Sequence, residues 1–353
     1  MIESHRKLAL YMPQCVGQPE GKMGYGILRY SPHAIVCVID PAKAGSDMTT
    51  EVGIPGQVPV VAGIHQAQKL GADVLVLGSA HSGGKLAESW YADLDAAVAS
   101  GMCVVNGLHD PLAPRYPDLA KGQWVWDVRV EPSDLGVARA RARALGAKRV
   151  LFVGSDMAVG KMTAALELWK AARERELKVE FVATGQTGIV IAGSGVALDA
   201  VRVDYAAGAV ERELLRYPEA DVIFVEGQGA LGHPGSTATL PLMRGSCPTH
   251  LIFCHRAGQA SLRSVPEIPI PPLREYIALC EALVGACGVF PPAKVVGVSL
   301  NTAHLGGEDA KAAVESLSAE LTLPVSDPVR FGSAALLDAL LGSPASGLSS
   351  GQR

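Results

Sequence analysis

Apolar residues along the chain come in short runs that alternate with longer segments of helical spacing. Residues 33–40 (H-A-I-V-C-V-I-D) read as a buried strand closing on an acid, and 72–78 (A-D-V-L-V-L-G) as another. Shorter runs at 57–61 and 102–106 add strands, while 64–70 and 85–100 carry helical spacing. A second series follows, with strands over 149–153, 179–184, 221–225, 249–254 and 293–299. Helical segments from 161 to about 177, over 207–216 and over 273–288 separate them. Strands that alternate with helices imply parallel sheets with crossover connections. No internal repeat or heptad interrupts the scheme.

One junction carries more chemistry than the others. The run 150–163 reads V-L-F-V-G-S-D-M-A-V-G-K-M-T, a strand meeting Gly154, a loop, and Gly160-Lys161 opening an Ala/Leu/Glu-rich helix. Strand, glycine loop, lysine and helix together let backbone N–H groups and a helix N-terminus cradle a phosphate. Gly154, Ser155, Ala158, Val159, Gly160, Lys161, Met162 and Thr163 are therefore the expected cofactor-binding residues. The hydroxyl that usually follows the lysine and binds magnesium is replaced by Met162, and Thr163 comes one residue late. One residue on a helix is about 100° of rotation. The cradle is kept while the metal ligand is displaced, which favours a pyrophosphate-bearing cofactor held without metal.

With 353 residues the chain has room for two cores. The expected class is α/β: a Rossmann-like N-terminal domain over 1–128 and a linker with a helix over 129–147. A P-loop NTPase-like domain with a mostly parallel sheet follows over 148–342, and a Ser/Gly-rich tail over 343–353 is expected to be mobile. The first domain lacks the G-x-G-x-x-G fingerprint, so no dinucleotide is assigned to it. Its polar loops at 78–85 (G-S-A-H-S-G-G-K) and 106–110 (N-G-L-H-D) sit at strand ends, where open sheets place ligands. Glycine-rich connections explain both equally well. Residues 21–31 read as a loop clustering Lys22, Arg29 and Tyr30.

Hydrophobic residues make up 48% and charged residues 19%, the balance of a well-buried soluble protein. A formal net charge of −4 speaks against nucleic acid as the main partner. No run is long enough to span a membrane, and the first residues lack a signal peptide's apolar core, so a cytoplasmic location is expected. Seven cysteines without C-x-x-C pairs read as reduced, mostly buried thiols, and no metal site is expected.

The loop 154–161 closely resembles the G-T-D-x-x-V-G-K-T loop of dethiobiotin synthetase and its P-loop relatives. The likeness extends to the acid-bearing strand end Val225-Glu226-Gly227 and to Asn301, where those relatives contact a base. Across nearly the whole chain, the closer resemblance is to a family that pairs a Rossmann-like domain with a P-loop domain. That family carries the motifs G-x-D-x-A-V-G-K-M-T, here at 154–163, and V-E-G-Q-G-x-L-x-H-P, here at 225–234. It was long catalogued as a domain of unknown function. Some members are described as D-glutamate N-acetyltransferases, which use acetyl-coenzyme A and work beside an N-acetyl-D-glutamate racemase. The resemblance thus implies acetyl transfer to an amino acid, a small-molecule partner and a homo-oligomer.

Acetyl transfer to an amine requires a proton acceptor, a polarised thioester carbonyl and two reactants held in line. Glu226, His233 and Asp156 are the catalytic candidates, with Glu226 first for the base; ordering water or Lys161 is its competing role. Oxyanion donors are sought among the amides of 227–229 and 185–188 and the side chain of Gln228. Gln228, Arg202 and Arg256 are the substrate-binding candidates, with Arg244, His255 and Arg263 in the same group of loops. Arg29 and Lys85 are outside possibilities from the first domain. Two other functions fit the loop: a magnesium-ATP kinase or ligase of the dethiobiotin synthetase type, and a non-catalytic nucleotide or coenzyme A sensor.

Overall fold

Two all-parallel sheets of six strands each organise the chain. The computed structural model describes residues 2–79 and 84–342. Residues 80–83 of the small-residue loop and the tail 343–353 lie outside the described residues. Contact clustering separates two units, one made of the chain up to Pro132 with Gly185–Ala200, the other of Ser133–Thr184 and the chain from Val201.

The first sheet runs in the order β3-β2-β1-β4-β5-β6. Its strands are β1 (Lys7–Tyr11), β2 (Ala34–Ile39), β3 (Val60–Val61), β4 (Val74–Leu77), β5 (Cys103–Asn106) and β6 (Val125–Asp127). The central strand β1 is absent from the apolar pattern, because a five-residue run is too short to be told from a helical fragment. Residues 22–30 correct the sequence reading, being the helix Lys22–Tyr30 and not a loop. Its glycines serve close packing: a Cβ on Gly24 would lie 2.2 Å from Met12 Sδ, and Gly24 N–H donates to Gly78 O at 2.8 Å. The helix expected over 85–100 shrinks to Tyr91–Ala99 after a 3₁₀ turn. Asp110 draws the preceding segment away from helical geometry by accepting from Leu86 N–H at 2.8 Å. The basic stretch at 139–145 supplies only the 3₁₀ turn Arg141–Ala144, since the backbone amides of Arg139 and Arg141 go to the buried carboxylate of Glu211.

The second sheet runs in the order β12-β11-β10-β7-β9-β8. It comprises β7 (Lys148–Gly154), β8 (Val179–Val182), β9 (Val222–Val225), β10 (His250–Arg256), β11 (Lys294–Asn301) and β12 (Val325–Ser326). β7 is buried along nearly its whole length, as a strand covered on both faces must be. From β7 the chain first travels to one side, to β8 and β9, and then to the other, to β10 and β11. A reversal of this kind opens a crevice at the carboxyl ends of the strands. Gly154, Glu226, Arg256 and Asn301 all stand at those ends. At the end of β11, Thr302 is fixed by Asp327, which accepts from its N–H at 2.9 Å and its hydroxyl at 2.6 Å.

Gly227 shows how tightly β9 closes on β7. A Cβ there would sit 1.7 Å from the Phe152 carbonyl oxygen and 2.9 Å from Lys161 Cδ. Gly227→Ala is expected to destabilise the unit by about 3 kcal/mol, the range for forced backbone displacement. A melting temperature unchanged within error would show that the strands separate without cost.

Candidate phosphate-binding site

The loop after β7 takes its shape from two residues in the left-handed region, Ala158 at φ 56° and Gly160 at φ 106°. Glycine adopts that conformation freely, and alanine must be held in it. Gly160 starts the helix Lys161–Glu174 without a side-chain cap, leaving the first-turn amides open to an anion. The N–H groups of Ala158, Val159 and Gly160 also have no acceptor among the described residues. Lys161 is buried, and its Nζ donates to the Asp156 carbonyl at 2.8 Å. Burial drives the lysine down to about 8, and the charges of Asp156 and Glu226 oppose that shift.

The loop is braced from the β10 side. Ser155 Oγ lies 2.8 Å from His255 Nδ1, and burial pushes that imidazole down to about 4, so it stays neutral. Asp156 is buried and multiply bonded. One oxygen accepts from Met157 N–H at 2.6 Å, the other from Gln259 Nε2 at 2.7 Å and Arg263 N–H at 2.8 Å. The carboxylate therefore ties the phosphate loop to the loop after β10. Asn301 Oδ1 accepts from Ala303 N–H at 3.1 Å, and its Nδ2 lies 3.7 Å from where a Gly160 Cβ would be. The amide of Asn301 thus stands beside the phosphate loop.

On the opposite flank, Glu226 is buried at the end of β9. Its Oε2 accepts from Thr184 N–H at 2.8 Å, and the Thr184 hydroxyl donates to Glu226 O at 2.9 Å. Gln228 is half-buried two residues on, its carbonyl held by the Thr239 hydroxyl at 3.1 Å. His233 has both ring nitrogens engaged inside its own loop. Nδ1 accepts from Gly235 N–H at 3.0 Å, so Nε2 carries the proton towards Ser264 Oγ at 2.7 Å. Through these two bonds His233 shapes its own turn.

The arginines expected near substrate disperse. Arg202 is exposed and stacks on Tyr205 with 4.8 Å to the ring centroid. Arg244 donates to the Leu283 carbonyl at 2.9 Å and covers Phe290. Arg29 and Lys85 are exposed on the first unit. Residues 185–188 belong to that unit too, as the start of the helix Gln186–Ala192. The half-buried Arg256 and the exposed Arg263 instead share an open hollow of about 450 Å³ that runs from residue 256 to 263 and is also lined by Pro266 and His304.

A family description, Domain of unknown function (DUF1611_C) P-loop domain, matches residues 136–337. Its Rossmann-like companion, DUF1611_N, matches residues 41–131. The chain belongs to the DUF1611 family. A DUF1611 family protein from Anabaena variabilis, known by crystal structure, is 48% identical with a TM-score of 0.92, over 96% of this chain and 100% of that one. A D-glutamate N-acetyltransferase from Tritonibacter scottomollicae is 38% identical over 78% of this chain and 84% of its own. Another of that name, from a Pseudoalteromonas species, is 36% identical over 76% and 81%.

Sequence reasoning passed over Gln259, Thr184 and His304 in this DUF1611 chain. Only the spacing of Gln259 and Arg263 from the strand end of β10 hinted at a second loop over the phosphate site.

A buried lysine whose folded value lies below its ordinary 10.5 carries a penalty in full below pH 8, relieved as pH rises from 8 towards 10.5. Lys161→Met is therefore expected to stabilise the ligand-free protein at pH 7 by about 2 kcal/mol while abolishing pyrophosphate binding. Calorimetric melting and titration with pyrophosphate check both halves. A variant that melts lower and binds as before would refute the assignment.

Proposed function

We propose that this chain is a D-glutamate N-acetyltransferase, moving the acetyl group of acetyl-coenzyme A to the amino nitrogen of D-glutamate. The carrying observation is its identity, over most of both chains, to two enzymes bearing that name. The loop geometry supports the choice of donor. Coenzyme A presents a diphosphate, and the site offers open backbone amides, the uncapped helix start and Lys161. Met162 occupies the position of the usual magnesium ligand, which suits a donor that reacts without the metal.

The division of labour follows from the flanks of β7. Lys161 and the amides of 158–160 grip the diphosphate. Asn301 sits on the β10–β11 flank, the side for the adenosine. Glu226, on the β9 flank, takes the proton that the D-glutamate ammonium must lose before its nitrogen attacks the thioester carbon. The C–N bond then forms, the C–S bond breaks, and the thiolate leaves to be protonated. Thr184 N–H fixes one oxygen of Glu226, so the carboxylate keeps its orientation as the charge shifts. Gln228, next along the same loop, is placed to meet the substrate.

D-glutamate should stimulate thiol release from acetyl-coenzyme A well beyond L-glutamate, equally with EDTA present. Glu226→Gln should lower kcat by about 10²–10⁴-fold, the usual contribution of a positioned base, and leave acetyl-coenzyme A binding in place. Magnesium-dependent turnover of ATP without thiol release would overturn the proposal.

A pH series separates the phosphate grip from the chemistry. An anion in the loop raises the affinity of Lys161 for its proton, so binding takes up a proton wherever the free lysine is deprotonated. Coenzyme A affinity should be level below pH 7 and fall by up to about tenfold per pH unit above 8. A flat profile from pH 7 to 10 would show that Lys161 does not face the diphosphate.

A further inference from the structure

We infer that the hollow lined by Arg256, Arg263 and His304 is a phosphomonoester subsite. It receives the phosphate on the ribose 3′ oxygen that distinguishes coenzyme A from an ordinary adenine nucleotide. The inference rests on the acetyl-coenzyme A reading and adds the group by which the donor is selected.

Its position comes first. β10 and β9 lie on opposite sides of β7, so the hollow and Glu226 flank the phosphate loop from opposite directions. A ligand gripped at its diphosphate has one end on each side. The acetyl end must meet the amine near Glu226, and the nucleoside end must lie towards Asn301 and the hollow. Register agrees, because Arg256 on β10 pairs directly with Asn301 on β11. Arg256 and Arg263 thus stand on the flank away from Glu226, on the side assigned to the nucleoside end.

Chemistry comes second. Neither guanidinium in the hollow has a hydrogen-bond or ion-pair partner among the described residues. The buried Arg149 and the half-buried Arg244 of this unit are tied down by contrast, Arg149 donating to three carbonyls and Arg244 to one. A phosphomonoester carries close to two negative charges and three acceptor oxygens, the partner a pair of arginine forks fits. The wall is also set in advance. Arg263 N–H and Gln259 Nε2 both donate to Asp156, so the loop carrying Arg263 is bolted to the loop that grips the diphosphate, while Arg256 is fixed at the end of β10. At about 450 Å³, the hollow is of the size that receives a small ligand fragment.

The test is titration calorimetry of coenzyme A against 3′-dephospho-coenzyme A. The native protein should bind the phosphorylated form about tenfold or more tightly, as expected for charge-assisted hydrogen bonds. Arg256→Ala with Arg263→Ala should narrow the ratio to below about threefold by removing that contribution. Affinity for the dephosphorylated form should stay unchanged, which also shows the variant is folded. The paired lysine variant, R256K with R263K, should recover part of the preference. Equal affinity of the native protein for both forms would overturn the inference and leave the transferase reading standing, as would a variant that weakens both forms alike. Failure of both forms to bind, with magnesium-ADP binding instead, would bring down the acetyl-coenzyme A reading and the subsite with it.

Discussion

A buried cation without a carboxylate in direct contact is the constraint on which the second unit turns. Lys161 spends its proton on a peptide carbonyl at 2.8 Å, a weak partner for a full charge removed from water. Burial dominates the charges of Asp156 and Glu226 around it, and the lysine falls towards neutrality. An anion inside the loop would relieve this by placing a charged acceptor in direct contact with the lysine, which no carboxylate among the described residues does. The parallel sheet imposes the position, since the strand ends converge only there. The cost is local, and in the proposed reading a bound diphosphate offsets it.

How much of this was legible in the chain depends on how local each cause is. The phosphate loop was readable because its geometry is written into adjacent residues: Gly160 alone adopts φ 106° freely, and Lys161 follows it at once. The alternation of strands was readable for the same reason, the central runs such as β4, β5, β7 and β9 being almost wholly buried. The helix Lys22–Tyr30 was not, because a glycine that reads as a loop former, Gly24, is there to admit Met12 and Gly78 at close range. A pattern confined to nine residues cannot report a neighbour that arrives from fifty residues away.

The same distinction governs the site residues. Asp156 and His233 have the chemistry of catalysts, and sequence could offer them only as such. Their environments add what the sequence does not show: one oxygen of Asp156 meets donors more than a hundred residues downstream. His233 is turned inwards by a backbone amide only two residues away, but that bond depends on how the loop folds. Glu226 keeps its candidacy because a strand end and the Thr184 amide hold it beside the lysine.

Charge balance joins the two flanks. Asp156 and Glu226 outweigh Lys161 by one formal charge, and a bound diphosphate adds further negative charge. Proteins that bind magnesium meet this with the ion, through the hydroxyl that Met162 replaces here. The compensation must then come from the chain itself. Open amides supply part through their dipoles. The remainder has to be cationic side chains close to the ligand but not to the amine, whose proton must leave towards a carboxylate. A basic wall on the β10 flank satisfies both demands at once. In the proposed reading it would neutralise the anionic end of the ligand and keep positive charge away from Glu226.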